Sequence, residues 1–289
     1  MRRAISKLKP LWHGLVLMGF VLGVLGVLDA VPVFVAAVPP LVLITLIGLG
    51  VVLGSVHPRA EEHEPCAMAA PVRGRWAALN TPGQQLPSHG TRFLGQYCAI
   101  DILRPTTADT PAKVRKAWRG SRPEEYLSFD APVHAMAPGV VTRTWSGSRD
   151  HRARNTWQGL LYMMSIEGVF RSVAGQRALL GNHVIVRHDD GTAAVYAHLR
   201  RGSLSVQAGQ RVGVGGQLGE VGNTGNTSEP HLHVHLMDRA DPHTAAGLKM
   251  TWENITRSGE IEPSLQEIAK EPAENAVRSM PRNGEIFEA

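Results

Sequence analysis

The run His231-Leu232-His233-Val234-His235-Leu236 alternates imidazole and aliphatic side chains without a break. Period two is the signature of a β-strand, in which successive side chains point to opposite faces. Leu232, Val234 and Leu236 therefore enter a core, while the three histidines project together from the other face. A helix would scatter the same residues around its circumference, so the run fixes the local structure and the direction of its polar face. Imidazoles a few ångströms apart can share a metal ion, or one can bind while its neighbour handles protons.

The surrounding chain has the same character. From about residue 76 to 250, short apolar runs are punctuated by Gly, Pro, Asn and Asp, as in an all-β domain. His183–His188 and Thr192–His198 flank Asp190-Gly191, a favoured tight-turn pair, and predict a hairpin. One island differs. Residues 155–173 lack turn signals and set Trp157, Leu160, Leu161 and Met164 at helical spacing, which predicts a helical insertion. Packing on the sheet is the role expected of it; covering the site is the functional alternative.

Three further residues could join the histidine strand. His198 ends a strand-like run, His89 sits in the loop-like Pro87-Ser88-His89-Gly90-Thr91, and Asp101 lies between Ile100 and Ile102. A carboxylate in a strand core needs a partner, which a metal or an arginine can supply. Imidazole nitrogens and one carboxylate oxygen, with room for water, are ligands that suit zinc.

Before this domain lies apolar chain. Residues 11–28 carry no charged side chain and would span roughly 27 Å as a helix, close to the ~30 Å hydrocarbon core. A second apolar stretch, 33–56, is interrupted by Pro39 and Pro40. One or two N-terminal transmembrane helices are expected, behind a basic flank at 1–10 that holds Arg2, Arg3, Lys7 and Lys9. That flank argues for a cytoplasmic N-terminus, and two full spans would then return residue 57 to the cytoplasm. Residues 57–85 read as a linker and entry segment, 86–250 as the all-β domain with its helical insertion at about 155–173, and 265–289 as a mobile polar tail.

The net charge of +5 is concentrated in the flank, and no basic stripe with interleaved aromatics stands out, so nucleic acid is not an expected partner. Cys66 and Cys98 are too few for a disulfide framework, and their spacing does not reveal whether they pair.

In order, SHGTRFLGQYCAID, GNHVIVRHDDGTAAVYAHL, AGQRVGVGGQLGEVGNTGN and EPHLHVHL resemble the lysostaphin-type zinc endopeptidases that cut bacterial peptidoglycan cross-bridges. The resemblance covers about residues 86–240. It implies an antiparallel barrel-like sandwich with a groove, one zinc ion on His89, Asp101 and His233, and His198 and His231 as the uncoordinated catalytic pair. It also implies a peptidoglycan peptide as substrate. Anchored by its N-terminal helices, such an enzyme would sit on the bacterial cytoplasmic membrane with its domain outside. His235, with no fixed role in the family, is taken as groove-lining, and Tyr196, on the His198 face by strand alternation, is expected to pack, with groove lining as the alternative. The family's first motif usually separates its histidine and aspartate by three residues, whereas eleven separate His89 from Asp101.

Other chemistries lack their signatures. There is no HExxH and no GxSxG, and the glycine-rich 209–225 segment does not spell GxGxxG. Two other classes are a non-catalytic relative that binds wall peptide or regulates a hydrolase, and a carrier or phosphotransfer domain. Phosphohistidine chemistry does not call for the aspartate, and no lysine in the glycine-rich loop could carry biotin.

Overall fold

The computed structural model describes residues 1–28 and 40–289. Each apolar run supplies a buried face and each Gly, Asn or Asp break a turn, so the middle of the chain folds as strands. They are β1 (Cys66–Met68), β2 (Arg75–Leu79), β3 (Ile100–Leu103), β4 (Pro132–His134), β5 (Gly139–Trp145), β6 (Asn182–His188) and β7 (Ala193–Leu199). Then follow β8 (Arg211–Val212), β9 (Gln217–Glu220), β10 (Leu232–Met237), β11 (Gly247–Leu248), β12 (Met250–Trp252), β13 (Thr256–Ile261) and β14 (Glu285–Glu288). The main sheet runs β13-β14-β2-β3-β10-β7-β6-β5-β8, with β11 also on β10. Its pairings are antiparallel, whereas β1 and β12 form a separate parallel pair. The path ends at β13 and β8, so the described residues form an open sheet and not the barrel-like closure expected.

The histidine-rich β10 lies between β3 and β7, which sets three chemistry-bearing strands side by side. Leu232, Val234 and Leu236 are fully buried in the main core with Ile100, Val184 and Tyr196. Each such side chain contributes roughly 1.5–3 kcal/mol by leaving water. The opposite face carries a smaller cluster, Leu180, Ile185, Val195, Ala197 and Met237, beneath the histidines.

The predicted boundaries are too narrow at both ends. Residues 57–85 contain β1 and β2, and Trp76 of β2 is completely buried, so the segment is part of the folded domain and not a linker. Residues 265–289 are likewise not a mobile tail. β14 sits between β13 and β2, and Phe287 packs on Trp252 in the core. Polar composition hid a four-residue strand whose alternation is too short to read. Cys66 and Cys98 are both free thiols.

The N-terminal helices are α1 (Arg2–Lys7), α2 (Lys9–Val27) and α3 (Pro40–Gly54). Among the described residues, the Lys9–Gly26 stretch is long and apolar enough to cross a membrane, while α3 is shorter. The 33–39 part of the second expected span lies outside the described residues. α2 and α3 pack as an antiparallel pair in which Gly50 meets Val16 and Gly54 meets His13. Residue 57 therefore emerges at the same end as the N-terminus, where Arg3 pairs with Asp238 of the β domain at 2.6 Å.

The insertion forms α4 (Trp157–Tyr162), a π-helical turn (Met163–Glu167), α5 (Gly168–Ala174) and α6 (Gln176–Leu180). Thr156 caps it by accepting from the Gly159 N–H. Its helical stripe does not pack on the sheet as expected. Trp157, Leu161 and Met164 are 70%, 70% and 78% exposed, while α5 lies against α2.

Candidate metal centre and histidine pair

Strand pairing sets the first contact. His233 on β10 is directly opposite Asp101 on β3, and His233 Nδ1 lies 2.8 Å from Asp101 Oδ1. His89 reaches the same carboxylate from its loop, with Nε2 3.0 Å from Oδ2, and Asn80 donates to that oxygen at 2.9 Å. The eleven intervening residues are taken up by the 3-10 segment Phe93–Cys98, in which Leu94 and Gly95 adopt left-handed conformations. The long spacing is thus compatible with a close His89–Asp101 pair.

Alternation alone would send His198 to the same side as Tyr196, and the structure departs from it. Tyr196 and Leu199 both enter the main core, so the chain takes up one extra residue between them. The β6–β7 register shifts at this point, and His198 has φ 63°. The resulting bulge turns His198 to the face that carries His231 and His233, as β-bulges beside active sites do. Tyr196 is accordingly not a groove residue. It is completely buried, and its hydroxyl oxygen accepts from the Met136 N–H at 2.8 Å.

His235 is not groove-lining either. It is completely buried behind His233, with Nε2 3.0 Å from the Leu94 carbonyl and Nδ1 3.0 Å from His233 Nε2. Burial holds His235 well below the usual 6.5, so its ring is neutral. The carbonyl can only accept, so His235 Nε2 donates and its Nδ1 accepts from His233 Nε2. His233, also lowered by burial, then turns a bare Nδ1 toward Asp101.

Two lone pairs facing one another at 2.8 Å call for a cation between them. Asp101 is 5% exposed and, among the described residues, pairs with histidines and with no lysine or arginine. Burial alone would raise its carboxyl, but the neighbouring imidazoles of His89, His231 and His233 hold it well below 3.8. One ligand atom each from His89, Asp101 and His233 lie within 4.8 Å of one another. Two imidazoles and a carboxylate are a donor set that fits zinc and leaves a fourth position for water.

The remaining two histidines are oriented by backbone. His198 Nδ1 donates to the Thr224 carbonyl at 2.8 Å, and His231 Nδ1 donates to the Glu229 carbonyl at 2.7 Å. With Nδ1 committed to a carbonyl, each ring turns its Nε2 toward the cluster. The rings are 4.9 Å apart between centroids, and burial keeps His198 well below 6.5. Together the five residues face a cavity of about 260 Å³, walled on one side by Met163 and Leu180 of the insertion.

All five residues expected at the site thus converge on one cavity. Sequence reading missed Asn80 and the carbonyls of Leu94, Thr224 and Glu229. Asn80 ends a strand with φ 47°, a conformation asparagine tolerates, which was its only local signal.

His233 and Asp101 on adjacent antiparallel strands, His89 from its loop and two further imidazoles beside them form a cluster that could hold a metal ion. Residues 165–244, a stretch that includes His198, His231 and His233, match the family model described as Peptidase family M23. The resemblance to the lysostaphin-type family therefore holds.

Among curated relatives, the chain is 40% identical over 79 residues to "Cell division protein DipM" of Caulobacter vibrioides, covering 27% of this chain and 13% of that protein. It is 29% identical over 159 residues to "DD-carboxypeptidase/endopeptidase Mpg" of Neisseria meningitidis serogroup B, covering 50% of this chain and 36% of that one. The chain thus spans well under half the length of these relatives. Among solved structures, the catalytic domain of lysostaphin from Staphylococcus simulans is 19% identical, with a TM-score of 0.28, over 46% of this chain and 88% of that one.

Proposed function

We propose that the chain is a membrane-anchored zinc metallo-endopeptidase that hydrolyses peptide bonds in bacterial peptidoglycan. The observation that carries this reading is the convergence of His89, Asp101 and His233 on one shared position, with the Nε2 atoms of His198 and His231 beside it. The M23 match and the endopeptidase names of relatives support the reaction class and the substrate.

His89, Asp101 and His233 would hold the zinc, which when bound activates water and polarises the scissile carbonyl. The other groups act in their own right. Asn80 steadies the Asp101 carboxylate, and the Leu94–His235 chain keeps the His233 Nδ1 lone pair turned to the ligand position. His198 Nε2 and His231 Nε2 accept the proton of the attacking water, since their Nδ1 protons are committed to carbonyls. Once protonated, an imidazolium there stabilises the tetrahedral oxyanion and returns the proton to the leaving amide nitrogen.

The substrate requires an extracytoplasmic domain. Because residue 57 and the N-terminus share one end of the α2–α3 pair, both then face outward, against the bias of the basic flank. Pairing of Arg3 with Asp238 removes part of that bias.

The test is digestion of purified peptidoglycan by the zinc-loaded chain in detergent, read by mass spectrometry of released muropeptides. New peptide termini that are missing with His233→Ala are expected. Intact muropeptides after incubation with folded, zinc-loaded protein would contradict the reading.

A further inference from the structure

Among the described residues, the apolar stripe of the insertion is left largely uncovered. Trp157, Leu161 and Met164 follow one another at i, i+4 and i+7 and stay largely exposed. At the other end of the insertion, Phe170 shares an apolar cavity of about 740 Å³ with Val16, Leu17 and Phe20 of α2. The insertion thus meets α2 at its Phe170 end, and its exposed stripe lies toward the other end.

A second segment joins it. The Arg115 N–H donates to the Asn155 carbonyl at 2.7 Å, which ties residues 113–119 to the start of the insertion. This segment reads Lys-Val-Arg-Lys-Ala-Trp-Arg, and Trp118 in it is 90% exposed among exposed Lys116 and Arg119. It is a basic run with an aromatic residue, which the overall charge balance conceals. Exposed tryptophan beside lysine and arginine, next to an apolar helical stripe, is the composition of a surface that lies in the headgroup region of a bilayer.

We infer that the insertion and the 113–119 segment form a membrane seat: Trp157, Leu161 and Met164 enter the acyl-chain boundary, and Lys116, Trp118 and Arg119 contact anionic lipid headgroups. The inference rests on the reading of α2 and α3 as a bilayer anchor, since the insertion's contact with α2 selects lipid as the partner. It has a consequence for the site. Met163, next to Met164, walls the cavity that holds the histidines, so the seat fixes that cavity close to the membrane surface.

The experiment places the full chain in phosphatidylglycerol/phosphatidylcholine vesicles with brominated acyl chains and records tryptophan emission. Comparing the wild type with Trp157→Phe, Trp118→Phe and Trp12→Phe isolates each residue's contribution. The seat predicts blue-shifted emission for Trp157 and Trp118, quenched about two-fold or more by the brominated lipid. In phosphatidylcholine alone, quenching of Trp118 falls while that of Trp157 persists. Trp12 reports the anchor separately. Quenched Trp12 with water-like, unquenched Trp118 and Trp157 overturns the seat and leaves the anchor standing. If all three stay unquenched, anchor and seat both fail. Equal quenching of Trp118 in the two lipids overturns the anionic-headgroup contact. Emission of Trp118 and Trp157 that shifts only on adding peptidoglycan strands overturns the lipid assignment in favour of a wall-polymer surface.

Discussion

His233 joins two kinds of contact that make it more than one ligand among three. Its Nδ1 faces Asp101, and its Nε2 is committed to His235, which is itself fixed by the Leu94 carbonyl. Replacing His233 with alanine is expected to abolish bound zinc and activity together, measured by metal analysis and muropeptide release. His198→Ala is expected to keep zinc and lose about 10²–10⁴-fold in turnover, the range of a lost acid–base group. Full activity in that variant would remove His198 from the mechanism. His235→Leu deletes the acceptor for the His233 N–H and is expected to weaken zinc binding by about 10–100-fold. His235→Gln, which offers both an acceptor and a donor, is expected to restore much of that loss in a metal-competition titration.

At the scale of elements, the bulge in β7 and the clamp on the insertion carry the argument. Glu167 accepts from Arg154 and Arg171, at 2.8 and 2.6 Å. Burial pushes its carboxyl up, but these two arginines outweigh it and bring it down to about 2 from the usual 4.5. A depressed carboxyl contributes stability above 4.5 and loses it as pH falls toward about 2. Hydrogen exchange in the insertion is therefore expected to accelerate across that window in the wild type. In Glu167→Gln it is expected to be fast already at neutral pH and nearly flat with acidification. A wild-type insertion whose protection is unchanged down to pH ~2 would contradict the clamp.

The same elements show what could be read from the chain. The β10 pattern was legible because six residues alternate without interruption, and the β6–β7 hairpin because Asp190-Gly191 marks its turn. His198 was found by motif, but its orientation was not legible. A bulge breaks the alternation that assigns faces, which is why Tyr196 and His198 share a face in the sequence pattern but lie on opposite faces of the sheet, with Tyr196 packed in the core. His235 was assigned to the correct face but the wrong depth, since alternation gives direction and not what covers a side chain. β14 was missed because Glu285-Ile286-Phe287-Glu288 is too short for a period and is surrounded by polar residues.

At the scale of the whole molecule, the C-terminal strand extends the open sheet beyond β2 and β3. β14 lies between β13 and β2, and β2 pairs in turn with the Asp101 strand β3. Phe287→Ala is expected to cost about 3–5 kcal/mol, the usual range for removing a buried aromatic ring, read as a lowered denaturation midpoint. An unchanged midpoint would mean that the segment does not belong to the cooperative unit. The N-terminal helices and the β domain are joined by the Arg3–Asp238 pair and by α5 against α2, so the groove has a fixed relation to the anchor.

The central claim is that a zinc centre on His89, Asp101 and His233, and not on the neighbouring imidazoles, carries the chemistry. Anomalous diffraction at the zinc absorption edge from crystals of the zinc-loaded full chain tests it most directly. One peak bonded to His89 Nε2, a carboxylate oxygen of Asp101 and His233 Nδ1, with His198 and His231 unbonded, is the predicted result. A peak bonded to His198 or His231, or no peak at the cluster in a zinc-loaded, folded chain, would contradict the account.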